Sequence, residues 1–265
     1  MTSARLSTLA TLRGRIERIE AQDDVLQPRR IALGHAEADA ALQGGLAVGA
    51  VHEVFTDAGR QSAAVTGFVA GLAGRVAPRR PLLWIRQDFC ELEAGALSMS
   101  GLAELGLDPR CLVTVRAADV DAALRASADA LACDALGAVV LEIWGETQKL
   151  DLVASRRLTL AAQASGVTAL VLRIAATPNP STAETRWIVR AAHSPPAASW
   201  TAWGAPRFDV ELVRNRHGLN GRWIMEWKCD ECLFTEPAAD SQPLAATAAH
   251  RPHQARAGEP RRRFA

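Results

Sequence analysis

The chain has 265 residues, of which about half are apolar, and 30 basic residues nearly balance 29 acidic ones, so that the formal net charge at pH 7 is +1. This length suffices for one large core, and the charge balance excludes nucleic-acid binding through a global positive field. The five cysteines are odd in number and scattered, which does not indicate a disulfide framework. We find no signal-peptide pattern and no run of about 18 apolar residues. The composition therefore predicts a globular protein of the cytoplasm that does not enter a membrane.

Residues 1–30 predict an amphipathic helix followed by a linker. Five apolar side chains between residues 3 and 22 recur at steps of three and four, with arginines and glutamates between them. This stripe packs either on its own domain or on a partner subunit, and periodicity alone does not say which. The candidate partner-binding side chains are Leu6, Leu9, Leu12, Ile16 and Ile19.

Residues 31–234 predict one α/β core. Short apolar runs, rich in β-branched residues, alternate with helix-patterned segments, which indicates a mostly parallel central sheet with helical crossovers. From residue 185 onward the strands follow one another directly, and we expect them to extend one edge of the sheet in antiparallel orientation. The predicted strands are 50–55, 80–87, 111–116, 136–144, 167–175, 185–193 and a hairpin over 207–227, and the predicted helices are 62–77, 91–106, 119–134 and 150–166.

Residues 235–265 predict a disordered tail. The segment contains four prolines and almost no large apolar residues, so it lacks the apolar area that offsets chain entropy. Residues 251–265 carry five arginines against one glutamate. This end is either solvated or a tether for an acidic partner or nucleic acid.

The turn after the strand 50–55 lies where a phosphate-binding loop would be. A working P-loop needs a lysine for the β- and γ-phosphates and a Ser or Thr hydroxyl for Mg²⁺, but the turn reads TDAGRQSA and contains no GK[ST]. Asp57 also brings negative charge to the place of a polyphosphate. Arg60 is placed to offset that charge, and Ser62 to cap the next helix. We interpret the turn as a feature of the fold without nucleotide chemistry.

The order of these elements and several phrases resemble the RecA family over residues 31–228. AALQGGLAVGAVHEVF is similar to the approach to that family's first core strand, LGLDPRCLV to a phrase that follows the strand of the catalytic glutamate, and ALGAVVLEIWG to the Walker B strand. The resemblance implies a RecA-like fold with degenerate nucleotide positions. Ser62 matches the Walker A lysine, with Gln61 and Ala63 beside it, Asp88 the catalytic glutamate and Glu142 the Walker B acid. The full degenerate set is Asp57, Gly59, Arg60, Gln61, Ser62, Ala63, Asp88 and Glu142.

Two segments, 144–151 and 173–187, match the DNA-contacting loops of the RecA family. Arginines beside the second segment and in the hairpin have the chemistry to neutralise phosphates, and an aromatic side chain can stack on a base. The alternative is a solvated hairpin with its tryptophan in the sheet core. The candidate DNA-binding residues are Arg173, Arg186, Arg214, Arg216, Arg222 and Trp223.

A RecA-like core with an N-terminal helix, a degenerate P-loop and a basic tail resembles the ImuA family, the RecA-like accessory proteins of a bacterial damage-inducible mutagenesis cassette. The resemblance implies a non-catalytic role in the SOS response, in DNA repair, translesion synthesis and damage-induced mutagenesis, without catalytic residues or cofactor. It implies an ImuB-like inactive Y-family polymerase protein as partner. RecA, an error-prone DNA polymerase, single-stranded DNA and further copies of the chain are additional candidates. The alternatives are a RecA-type ATP-dependent DNA-binding motor and a cell-division inhibitor.

The sequence also contains one pair of metal-ligand type, Cys229 and Cys232, with His250 and His253 downstream. Two thiolates at this spacing suit one face of a zinc tetrahedron. The histidines, however, are closer together than in known zinc sites and fall in the predicted disordered tail. We therefore predict no metal site, and a structural cysteine pair or idle thiols.

Overall fold

The computed structural model describes residues 29–196 and 204–238. The predicted N-terminal helix, with Leu6, Leu9, Leu12, Ile16 and Ile19, lies outside these ranges, as do His250 and His253. None of the helices in the described ranges has the length and apolarity needed to cross a bilayer.

The described chain forms strands where the sequence is apolar and β-branched. Each predicted strand of the core is present within two residues of its expected bounds, because a run buried on both faces has a clear sequence signature. The strands are β1 Arg30–Ile31, β2 Leu46–Ala47, β3 Val51–Thr56, β4 Leu82–Gln87, β5 Leu112–Ala117, β6 Ala138–Trp144, β7 Thr168–Ile174, β8 Thr185–Ala191, β9 Arg207–Asn215, β10 Gly221–Lys228 and β11 Leu233–Thr235.

The helices largely follow the predicted segments, with one correction. A single helix over 91–106 is wrong, because Gly95 ends the first helix with φ +76° and the Ser98 side chain then caps a second one. The first of the two also begins earlier than expected, at Asp88. The helices are α1 Ala36–Ala41, α2 Ser62–Val76, α3 Asp88–Ala94, α4 Met99–Glu104, α5 Val120–Leu131 and α6 Leu152–Ser165, with 3₁₀ turns at Gly59–Gln61 and Pro109–Cys111.

A nine-stranded sheet organises the described chain in the order β11-β10-β9-β8-β3-β7-β6-β4-β5. The six strands from β8 to β5 in this order are parallel to one another. Strands β9, β10 and β11 continue the sheet beyond β8 in antiparallel orientation. This arrangement confirms the predicted fold class. Strands β1 and β2 form a separate two-stranded ribbon that was not predicted.

Two layers of side chains bury the two faces of the sheet. On one face α2 packs across β3, β6, β7 and β8, and Phe68 lies within 5.1–6.0 Å, ring centre to ring centre, of Trp187, Phe208 and Phe234. On the other face α5 and α6 cover β3 to β7. The parallel strands direct their carboxyl ends to one edge of the sheet, where the turn between β3 and α2 lies.

Candidate functional site

The turn between β3 and α2 is a short 3₁₀ segment, Gly59–Gln61, that runs directly into the helix. Ser62 is already helical, and no side chain caps α2. The expectation that Ser62 caps this helix is therefore wrong. The Gln61 side-chain oxygen instead accepts a hydrogen bond from the Ala191 N–H at 2.9 Å, which ties the turn to β8.

Trp144, the last residue of β6, lies against the backbone of this turn. A Cβ atom added to Gly59 would lie only 2.6 Å from Cζ2 of the indole, so only glycine permits the contact. The aromatic ring therefore occupies space beside the turn, on the side that faces β6.

The charges of the turn differ from the sequence expectation. Asp57 pairs with Arg190 of β8 at 3.4 Å, and Arg60 is exposed and has no ion pair within residues 29–196 and 204–238. The neighbour that offsets Asp57 is therefore Arg190, because β8 lies beside β3 in the sheet.

Glu142, at the Walker B position, is fully enclosed on β6. Its Oε2 accepts hydrogen bonds from Trp84 Nε1 and Arg86 Nε, both at 2.8 Å, and its Oε1 accepts one from Arg86 Nη2 at 3.0 Å. Arg86 is itself buried, and the two residues face each other in the register of β4 and β6. The chain thus supplies its own cation to this carboxylate, through a two-point pair of the kind that is strongest in proteins.

The environment of this ion pair also acts on Cys90 of α3. The thiol lies 3.6 Å from the Glu142 carbonyl oxygen. Burial, followed by the negative charge of Glu142, raises the pKa of Cys90 to about 12. The thiol therefore stays protonated and unreactive at physiological pH.

Asp88, the nearest match to the catalytic glutamate, is the first residue of α3. Its Oδ1 accepts a hydrogen bond from Arg116 Nε of β5 at 2.9 Å, and Glu91 lies 3.3 Å from the same nitrogen. The hydrogen bond to Asp88 raises the pKa of Arg116. This group is a partly exposed ion pair at the edge of the sheet.

Arg173 and Arg186, two of the candidate DNA contacts, are interior residues. Arg173 donates to the Gly145 carbonyl at 3.1 Å, and burial lowers its pKa. Arg186 donates to Glu53 at 2.8 Å, and both guanidinium groups lie within 5.7 Å of the Phe55 ring centre. As placed, these two cations face internal partners and not solvent.

Some of the hairpin side chains are bound to partners within the protein, and others are exposed to solvent. Arg214 donates to a backbone carbonyl at 2.7 Å, and Arg222 makes two hydrogen bonds to Asp209 at 2.6 and 2.8 Å. The Trp223 indole is half-buried against the α2 side of the core. Arg216 is exposed and has no ion pair in the described part of the chain. Within the hairpin, Arg216 is therefore the arginine most accessible to a phosphate.

The cysteine pair lies in the turn between β10 and β11. Cys232 has φ +50°, and its Sγ donates to the Cys229 carbonyl at 3.3 Å. Burial raises the pKa of Cys229. Among the described residues no group of three or more His, Cys, Asp or Glu side chains is close enough to hold a metal ion.

Sequence reasoning missed the groups that occupy the site. Trp84, Arg86 and Trp144 were read only as parts of strands. A signal was available for the ion pair, since LLWIRQ and AVVLEIW each place one charge of opposite sign inside an apolar run, and a buried charge requires a partner. No local pattern indicates that Trp144 lies against Gly59.

Comparison with known proteins gives the family. No protein-family profile matches the sequence. The chain is similar to "Protein ImuA" of two strains of Caulobacter vibrioides, NA1000/CB15N and CB15, with 33% identity over 198 residues in each comparison. The matched region covers 69% of this chain and 77% of the relative. With this identity over more than two thirds of both sequences, the chain belongs to the ImuA family.

Proposed function

We propose that this chain is a non-catalytic accessory protein of damage-induced mutagenesis, and that it acts by binding other proteins. Membership in the ImuA family supports a place in the ImuA/ImuB system. The proposed direct partner is an ImuB-like inactive Y-family polymerase protein. A scaffold of this kind brings that partner together with an error-prone DNA polymerase for translesion synthesis in the cytoplasm.

The non-catalytic part of the proposal rests on the contacts around the turn after β3. The Trp144 indole lies against Gly59, and the Glu142 carboxylate is bonded to Arg86. A magnesium triphosphate seated there would have to displace the ring and compete with a buried ion pair, without the lysine and hydroxyl that bind phosphate and magnesium in working P-loops.

Titration with a fluorescent ATP analogue and magnesium tests this part. We expect no saturable anisotropy change for the full chain, whereas a RecA-type ATPase with an intact Walker A sequence, measured in parallel, saturates. Saturable binding to the full chain that unlabelled ATP competes away would overturn the non-catalytic reading and favour an ATP-dependent motor.

A pull-down with the ImuB-like protein of the same bacterium tests the partner. The full chain and two shortened chains, one without residues 1–28 and one without 239–265, serve as bait. We expect the full chain to retain the partner, and loss with one truncation alone names the docking segment. No retention by the full chain, with folding verified by circular dichroism, contradicts the proposed partner. RecA, single-stranded DNA and a second copy of the chain are tested with the same baits.

A further inference from the structure

Helices α5 and α6 enclose a surface groove on the side of the sheet opposite α2. The two helices pack side by side, and the cavity between them has a volume of about 450 Å³. Leu124, Val153 and Leu158 contribute its apolar lining, while Arg125, Lys149 and Arg157 contribute positive charge. The groove is separate from the turn after β3 and from the β9–β10 hairpin.

The outer surface of α6 extends the groove as an exposed apolar face. Leu152, Val153 and Leu160 expose 54%, 59% and 52% of their surface, so that α6 has more exposed large apolar side chains than any other helix of the described chain. Their spacing, with Arg156 and Arg157 between them, places all five residues on adjacent turns of one helix side. A grouped set of exposed apolar side chains is typical of an interaction site.

Positive charges outnumber negative ones around this surface. Asp121 is bound to Lys149 at 3.0 Å, and Asp151 accepts the Ala154 N–H at 2.8 Å as the N-cap of α6. Asp121 is therefore paired with a cation, whereas Asp151 keeps its charge and caps the helix. In contrast, Arg125, Arg156 and Arg157 are exposed and form no ion pair within the described residues.

The predicted N-terminal helix and the C-terminal end of the chain both have the wrong charge for this groove. Residues 3–22 carry four arginines and two glutamates, and residues 251–265 carry five arginines and one glutamate. Both segments are net positive, and like charges oppose docking at an interface. The complementary occupant is therefore an acidic segment of another protein.

We propose that the α5–α6 groove binds an acidic amphipathic helix of a partner protein. The apolar stripe of that helix packs on Leu152, Val153 and Leu160, and its carboxylates face Arg125, Arg156 and Arg157. A shallow groove between two helices accepts a helix laid along it, through apolar side chains at helical spacing. No aromatic side chain lines the groove, so it lacks the stacking platform that single-stranded nucleic acid requires. The inference goes beyond the proposed function, because it names the chemistry of a partner and does not depend on the state of the turn after β3.

Fluorescence anisotropy with designed peptides tests the proposal on the full chain. The probe is a fluorescein-labelled helical peptide of about 18 residues, with leucines at i, i+3, i+4 and i+7 and glutamates elsewhere. A scrambled peptide of the same composition, without the leucine stripe, is its matched control. A third peptide has lysines in place of the glutamates. We expect saturable binding of the first peptide and much weaker binding of the other two.

Two groove variants and two matched controls locate the site. Arg156→Glu with Arg157→Glu, and separately Val153→Ser with Leu160→Ser, should each weaken binding of the acidic peptide by about tenfold or more. Because these side chains are exposed, the variants should fold, which circular dichroism verifies. Arg216→Glu and Leu219→Ser make comparable changes on the β9–β10 turn and should leave the affinity unchanged.

Four outcomes would overturn the groove proposal. The first is that the scrambled peptide binds as tightly as the striped one, and the second is that both groove variants keep the full affinity. The third is that an oligothymidylate binds the arginines of the groove more tightly than the peptide does. The fourth is that the chain self-associates in sedimentation and that Val153→Ser with Leu160→Ser abolishes this self-association. The nucleotide titration is independent of all four. A failed groove and a failed accessory function are therefore distinguishable.

Discussion

Glu142 combines complete burial with full ion pairing, which is the pattern of a structural charge. Its three donors come from Trp84 and Arg86 on the neighbouring strand. Removing one partner of such a pair leaves the other as an uncompensated buried charge. If the carboxylate belonged to a metal site, neutralising it would instead be expected to stabilise the metal-free protein, because that site holds unbalanced negative charge.

We therefore expect Glu142→Gln to lower the free energy of unfolding by about 3 kcal/mol or more, because Arg86 loses its counter-charge in a buried site. Asp88→Asn is the matched control. It removes a carboxylate from a pair with Arg116 whose side chains are 41% and 64% exposed, so the loss should stay below about 1 kcal/mol. Urea unfolding of both variants measures the difference. A neutral or stabilising Glu142→Gln contradicts the structural role.

His52 is a second buried group with a defined hydrogen-bond chain. Its Nε2 lies 2.8 Å from the Ala47 carbonyl, which requires an N–H there, and its Nδ1 accepts from the Thr185 hydroxyl at 2.7 Å. The Trp187 indole Nε1–H in turn donates to the Thr185 hydroxyl oxygen at 2.8 Å. Burial lowers the pKa of His52 from 6.5 to about 4. The native protein therefore holds the imidazole neutral.

This pKa makes stability depend on pH in a stated window. Between pH 6.5 and 4 the unfolded chain binds a proton at His52 and the native chain does not, so stability falls as the pH is lowered through that range. The expected loss is about 1.4 kcal/mol per pH unit near the middle of the window. His52→Gln replaces the imidazole by an amide, which still offers a donor and an acceptor but does not titrate. The urea midpoint of this variant should therefore change less between pH 7 and pH 5 than that of the unchanged protein. If the urea midpoints of the two proteins fall in parallel as the pH is lowered, the pH dependence does not come from His52.

The site residues show where sequence reasoning stops. Positions such as Gly59 and Glu142 were identifiable because the RecA-like phrases mark them in chain order. Their partners were not, because Arg190 and Trp144 are distant in sequence from Asp57 and Gly59 and meet them only through the strand order of the sheet. The contacts of Arg173 and Arg186 were missed for the same reason, since their partners Gly145 and Glu53 come from the end of the neighbouring strand β6 and from the neighbouring strand β3.

Among the elements, β11 is short but closes one end of the core. Phe234 is fully buried and lies 4.7 Å, ring centre to ring centre, from Trp227 and 5.1 Å from Phe68 of α2. A Cβ atom on Gly71 would lie 2.7 Å from the Phe234 ring, so a glycine in the helix lets the strand approach closely. The predicted tail boundary at residue 235 therefore falls at the last residue of β11.

Phe234→Ala should lower the free energy of unfolding by about 3–5 kcal/mol, because it leaves a cavity among three aromatic rings. Leu92→Ala is the control, since Leu92 is 81% exposed and a surface substitution changes stability by about 0.5 kcal/mol or less. Deletion of residues 239–265 should likewise leave the urea midpoint unchanged. A deletion as costly as Phe234→Ala would show that the core extends beyond β11.

Elements with strong periodic or apolar signals were predictable, and the short ones were not. Strands β3 to β10 follow runs whose burial is visible in composition. Ribbon β1–β2 and strand β11 have only two or three residues each, too few to show a period. The break at Gly95 shows a further limit, because a single glycine with positive φ ended a helix whose apolar pattern continued beyond it.

Positive and negative charges nearly cancel over the whole chain, but the arginines differ in exposure and in ion pairing. The net charge of +1 conceals arginines that are buried, such as Arg173, beside others that are exposed without an ion pair in the described ranges, such as Arg216 and those of the α5–α6 groove. Contact with nucleic acid therefore depends on particular arginines and not on a general field. Direct contact with single-stranded DNA stays a prediction for the hairpin.

We expect Arg216→Ala to reduce the slope of log affinity against log salt for an oligothymidylate by about 0.7, the value for one lost phosphate contact on a single strand. Arg222→Ala should change the slope less, because Asp209 already neutralises that guanidinium. Anisotropy titrations over a salt series provide the measurement. An identical slope for Arg216→Ala and the unchanged protein removes the hairpin from the DNA-binding hypothesis.

The contact between Trp144 and Gly59 limits how a working P-loop could be introduced into this turn. Ser62→Lys with Ala63→Thr would restore the two side-chain types that a P-loop lacks here, yet the indole would still stand beside the turn and Arg86 would still hold Glu142. We expect this double variant to bind the magnesium–ATP analogue no better than the starting protein. A working P-loop at this position thus requires simultaneous changes on β4, β6 and α2, and no single substitution supplies it.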